Sequence, residues 1–138
     1  MLKHPFLNIP YNPQLSVLLR GIEIYDREHT LGEELQEYNP NDIEDREKII
    51  NLYILPALNY LSYRHKFTLL EKLKTELKNE NTDFSALFES DYDDPKTIAW
   101  DEADIINARG FFERILSNAE TIWHEELKKA ASEDQSEW

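Results

Sequence analysis

A chain of 138 residues with 41% apolar and 12% aromatic side chains is long enough to bury one core without metals or staples. Its 15 basic and 28 acidic residues give a net charge of −13, the wrong sign for gripping nucleic-acid phosphates or an anionic membrane. The absence of cysteine excludes disulfides, thiolate nucleophiles and thiolate metal sites.

Few alternating runs occur, and apolar residues recur at helical spacing, so the expected fold is all-α. The expected architecture is a single-domain bundle of about five to seven helices over 1–138. Residues 1–12 read as an extended, proline-punctuated arm. Pro5 and Pro10 break up any signal-peptide core there, and the default location is the cytoplasm. Asn12-Pro13 is a helix start, followed by the stripe Leu15, Leu18, Leu19, Ile22 and Tyr25.

Thr30-x-x-Glu33 and Asn41-x-x-Glu44 read as capping boxes. The second opens a helix whose latter half, Ile49 to Leu55, is almost wholly apolar, as expected of a central helix. Pro56 is expected to kink or end it. Ala57 to His65 reads as a second segment, and Thr68-x-x-Glu71 as the cap of a helix with Leu69, Leu70, Leu73 and Leu77 inward. Asn81 to Glu89 reads as a short helix burying Phe84, Leu87 and Phe88. From Asp101 the series Ile105, Ala108, Phe112, Ile115, Ala119, Ile122 predicts a long amphipathic helix with a weak point at Ser117-Asn118. The tail 132–138 is acidic and polar.

The chemistry-bearing feature is the segment Glu89 to Asp104, ESDYDDPKTIAWDEAD. It has seven carboxylates and one cation, Lys96, with Tyr92 and Trp100 among them. Dense carboxylates repel one another, so such a field suits a cationic partner. Asp91, Asp93 and Glu102 fall at positions one, three and twelve of a calcium loop, with Ile98 at the apolar eighth. Pro95 at the fifth position and Lys96 at the sixth replace the oxygen ligand and the turn glycine, so no metal is expected.

The histidines His4, His29, His65 and His124 form no paired ligand set, and three isolated glycines cannot build a phosphate loop. No cofactor is expected, and no enzyme. A catalytic reading would need a pocket joining Arg64, His65 and a carboxylate.

In size, acidity, lack of cysteine, helical content and the acidic aromatic segment, the chain resembles the immunity proteins of bacterial contact-dependent growth inhibition and related polymorphic toxin systems. The resemblance implies a one-to-one complex with a basic toxin domain, commonly a nuclease, whose active site or substrate groove is covered. The contact surface expected from the residues is Asp91, Tyr92, Asp93, Asp94, Trp100, Asp101, Glu102 and Asp104. A DNA mimic or phage anti-defence protein is the alternative, though a mimic spreads its acids regularly and residues 1–69 here are nearly balanced, with 7 basic and 10 acidic. A helical regulatory or scaffold subunit whose acidity serves solubility is a third reading.

Overall fold

The computed structural model describes residues 1–89 and 97–138, and the described residues form an all-α bundle with no strand. The first element is a 3-10 helix, Leu15–Ile22, unusually long for its type. Leu15, Leu18, Leu19 and Ile22 are buried as the stripe predicts, while Tyr25 lies beyond the helix and is exposed. A π-type turn, Glu28–Gly32, then runs into one turn of helix, α1 (Glu33–Leu35). Thr30 sits inside that turn and caps nothing.

Helix α2 (Ile43–Ile49) continues into a π-type stretch, Ile50–Ile54. Its cap is Asp42, whose carboxylate accepts from Asp45 N at 3.0 Å, not the expected Asn41. Ile49, Ile50, Ile54 and Leu55 are buried in the centre, but Leu52 is 58% exposed, so the segment is not apolar-facing all round. Asn118 Nδ2 donates to Asn51 Oδ1 at 3.0 Å, which satisfies the one buried amide facing this stretch. Pro56 is the first residue of a short 3-10 turn, Pro56–Leu58, where its missing N–H leaves no bond unmade.

Helix α3 (Tyr63–Lys78) starts at Ser62, whose hydroxyl accepts from His65 N, six residues before the expected Thr68 box. Thr68 instead turns its hydroxyl onto Arg64 O. Leu69, Leu70 and Leu73 are buried and Leu77 partly so. The expected 81–89 helix is a single 3-10 turn, Ser85–Phe88, with Phe84 and Phe88 buried.

The C-terminal helix begins later than the periodicity suggests. Asn107 adopts the left-handed region (φ 57°) and caps α4 (Ala108–Ile122) by accepting from Gly110 N at 3.0 Å. A short polar side chain tolerates that backbone where most residues would not. α4 runs unbroken through Gly110, Ser117 and Asn118, and the break falls at Trp123, before α5 (His124–Ala131). Phe84, Phe88, Phe111 and Phe112 form a cluster of tilted and edge-on rings that joins α4 to the 85–88 turn.

Both chain ends are tied down through α3. His65 lies 2.6 Å from Lys3 O and edge-on to Tyr11, holding the arm. The arm is not simply extended: Lys3 pairs with Pro10, and His4 N donates to Ile9 O at 2.8 Å, so it doubles back. Arg64 meets Glu133 at 3.1 Å and the face of Trp138, holding the tail. Arg64 and His65 therefore serve the two termini rather than a common pocket. No helix among the described residues is long and apolar enough to cross a membrane.

Candidate acidic interface

Asp91, Tyr92, Asp93 and Asp94 lie outside the described residues. The segment that follows them is fastened to the end of the first 3-10 helix. Ile24 N donates to Thr97 O at 2.7 Å, Ala99 N donates to Ile22 O at 2.9 Å, and Ile98 is buried. Trp100 is half-buried against the core, so it flanks the core rather than standing free as an aromatic anchor.

Asp101, Glu102 and Asp104 are exposed on a 3-10 turn, Glu102–Asp104. The turn carries its own capping box, with Asp101 N donating to the Asp104 carboxylate. The chain just after it is held from α2. Asn41 spends both ends of its amide there: Nδ2 donates to Asp104 O at 2.8 Å, and Oδ1 accepts from Ile106 N at 2.8 Å. Arg46 donates to Pro40 O at 2.7 Å and to Ile106 O at 3.0 Å, with its guanidinium over the Phe111 ring. Burial lowers the pKa of Arg46, yet two carbonyls and a ring face compensate it. Neither Asn41 nor Arg46 stands out in the sequence as part of this site, because each acts some 60 residues away.

A second turn faces the first. Glu89, at the end of Ser85–Phe88, lies beside Glu102, and sharing a proton with it pushes the Glu102 pKa above the ordinary carboxylate range, with the charges of Asp101 and Asp83 adding to the repulsion. Asp83 is held low by the Ser85 hydroxyl, which donates to it at 2.5 Å, so it stays charged. None of Asp83, Glu89, Asp101, Glu102 or Asp104 makes an ion pair among the described residues.

A carboxyl whose pKa is raised on folding binds more protons folded than unfolded, so its charge weighs against the fold at neutral pH. That burden lifts as pH falls through the raised value and is gone below the unfolded value of about 4.3. Glu102→Gln is thus expected to raise the melting temperature at neutral pH and to leave it unchanged below about pH 4. Thermal melts at both pH values check this, and an unchanged or lower midpoint at neutral pH would contradict the like-charge contact.

Elsewhere, an open groove of about 680 Å³ runs between α3 and α4. Its charges are mixed: Lys74 and Lys78 on α3 stand opposite Arg109, Glu113 and Glu120 on α4. Arg109 is already committed to three backbone carbonyls, so the groove offers no free cation there. Comparison with protein-family models, with curated proteins and with solved structures finds no match for the chain.

Proposed function

We propose that this chain is an acidic inhibitor that binds and neutralises a basic protein, of the immunity-protein kind, with a toxin domain such as a nuclease as its target. One observation supports the reading above the others. Five carboxylates without ion-pair partners among the described residues sit on two braced turns, with Glu102 pressed against Glu89. A free protein gains nothing from that repulsion, whereas a lysine or arginine arriving between the carboxylates converts it to attraction. The proposed surface comprises Asp101, Glu102 and Asp104 with Glu89 and Asp83. Asp91, Tyr92, Asp93 and Asp94 join it from the sequence. Trp100, half-buried, contributes as a support of that surface.

Opposite fields raise association rates from about 10⁵–10⁶ M⁻¹s⁻¹ toward 10⁸ M⁻¹s⁻¹ or more, and salt removes the gain. That kinetics suits an inhibitor that must reach its target before the target reaches a substrate. The test is capture from the native host at low and high salt, comparing the intact chain with Glu89→Gln, Asp101→Asn, Glu102→Gln, Asp104→Asn combined. The intact chain is expected to retain a basic protein and to suppress its activity. The combined variant should associate at least about tenfold more slowly at low salt and converge with the intact chain at high salt. Equal capture by both forms at both salts would sink the reading.

A further inference from the structure

The acidity of this protein stops short of its N-terminus. Residues 1–22 contain Lys3 and Arg20 and no carboxylate, whereas residues 23–138 hold 13 basic and 28 acidic side chains. The same region presents a close-set run of exposed apolar side chains. Phe6 is 72%, Leu7 56% and Ile9 50% exposed, and Tyr60 beside them is 42% exposed. Phe6 stacks flat on Tyr60 with ring centroids 5.6 Å apart. The arm is closed by its own backbone bonds and by His65 on Lys3 O. Beneath it lies a cleft of about 150 Å³, lined by His4, Tyr11, Val17, Arg20 and Tyr60 among others, with no carboxylate in its walls. This is a held apolar surface, and such surfaces on folded proteins mark contacts.

The charge pattern selects what covers it. The basic partner proposed above finds no carboxylate to engage here. An anionic membrane would meet two cations on a body that is otherwise strongly negative. A second copy is the occupant the pattern favours. In a twofold contact each copy meets the patch it presents. Any face carrying the carboxylates would set them against their own images, whereas residues 1–22 contain no acid and the cleft beneath the arm is lined by none among the described residues.

We propose that two copies of this chain associate about a twofold axis through the arm, with Phe6, Leu7 and Ile9 of each packed against those of the other beside Tyr60. The contact is apolar and the bodies repel, so the dimer strengthens when salt screens the repulsion. Raising salt from about 0.1 M to about 1 M shortens the screening length from about 10 Å to about 3 Å. Salt thus acts here with the opposite sign to its effect on the acidic face, so the two readings stand or fall separately.

Sedimentation equilibrium of the full chain over a range of concentrations, at both salts, tests this. A reversible dimer is expected, tighter at high salt. Phe6→Asp with Ile9→Asp should raise its dissociation constant at least about tenfold, with the far-UV spectrum of the monomer unchanged because both side chains are at least half exposed. Leu7→Asp, which leaves the Phe6–Tyr60 stack alone, should do the same and serves if the double variant disturbs the arm. A monomer at every concentration and salt overturns the proposal. So does a dimer indifferent to all three substitutions, or arm-dependent binding to phosphatidylcholine vesicles by a chain that remains monomeric.

Discussion

Gly21→Ala is expected to be the most damaging single substitution of a small residue in this protein. Gly21 lies in the 3-10 helix Leu15–Ile22, three residues after Leu18 and six after Leu15. At three residues per turn these positions stack in one row, and that row faces the core. A Cβ built at Gly21 would stand 1.9 Å from the carbonyl oxygen of Tyr53 and 2.7 Å from its carbonyl carbon. Those are backbone atoms of the central helical stretch and cannot swing aside as a side-chain end could. The two segments must separate, opening the packing of the first 3-10 helix on the Ile50–Ile54 stretch, where Leu18, Leu19, Ile22, Ile50 and Ile54 are all fully buried. Overpacking against backbone puts the loss at the upper end of the usual range, about 3 kcal/mol. For a chain of this size that is a fall in melting temperature on the order of 10 °C. Gly32→Ala is the control: its Cβ would meet nothing nearer than 3.5 Å, and its backbone is already helical at φ −61°. That change should stabilise by about 0.5 kcal/mol through the unfolded chain. Urea unfolding of both variants decides the matter, and a Gly21→Ala midpoint close to the parent's would refute the close approach. The damage would also reach the acidic face, because Ile22 O and Ile24 N are what hold residues 97–99 in place.

What the sequence could disclose was governed by range. The inward rows Leu15, Leu18, Leu19, Ile22 and Leu69, Leu70, Leu73 and Phe112, Ile115, Ala119 were readable, because burial of a helix face repeats every three or four residues. Helix starts were less readable. A cap is one hydrogen bond, worth about 1 kcal/mol, and a neighbour can outbid it. Asn41 illustrates this: its amide is taken by Asp104 and Ile106, so Asp42 caps α2 in its place. Asn107 ended the expected Asp101 helix before it began, through a left-handed backbone that no periodicity announces. The acidic face was legible as charge in residues 89–104. Its supports, Asn41, Arg46 and Arg109, were not, since each acts on backbone carbonyls far along the chain and carbonyls have no signature in a sequence.

Arg109→Ala is expected to cost about 3 kcal/mol and to weaken partner binding in a way that net charge alone would get wrong. The guanidinium donates to Leu77 O at 2.9 Å, Asn79 O at 3.0 Å and Thr82 O at 2.9 Å, and it lies over the Phe84 ring at 4.8 Å. The first two carbonyls close the C-terminal end of α3, where a cation also meets the negative end of the helix dipole. The third fixes the chain that leads to Asp83 and on to Glu89. Each bond from a charged donor contributes about 1.5–3 kcal/mol, and water replaces part of that at an accessible site. Arg109→Lys can reach only one or two of the three carbonyls from a single point and should recover less than half of the loss. Hydrogen exchange should quicken in 79–88 before it quickens in α3 as a whole. The two views of the acidic face then diverge. If attraction depends only on total charge, removing Arg109 makes the protein more negative and a basic partner should bind faster. If it depends on Glu89 and Asp83 being held against Glu102, the same substitution should slow association, although it deletes no acid. Association rates of the parent, Arg109→Ala and Arg109→Lys with the captured partner separate these outcomes, and faster binding by Arg109→Ala would remove the two braced turns from the account of how the face works.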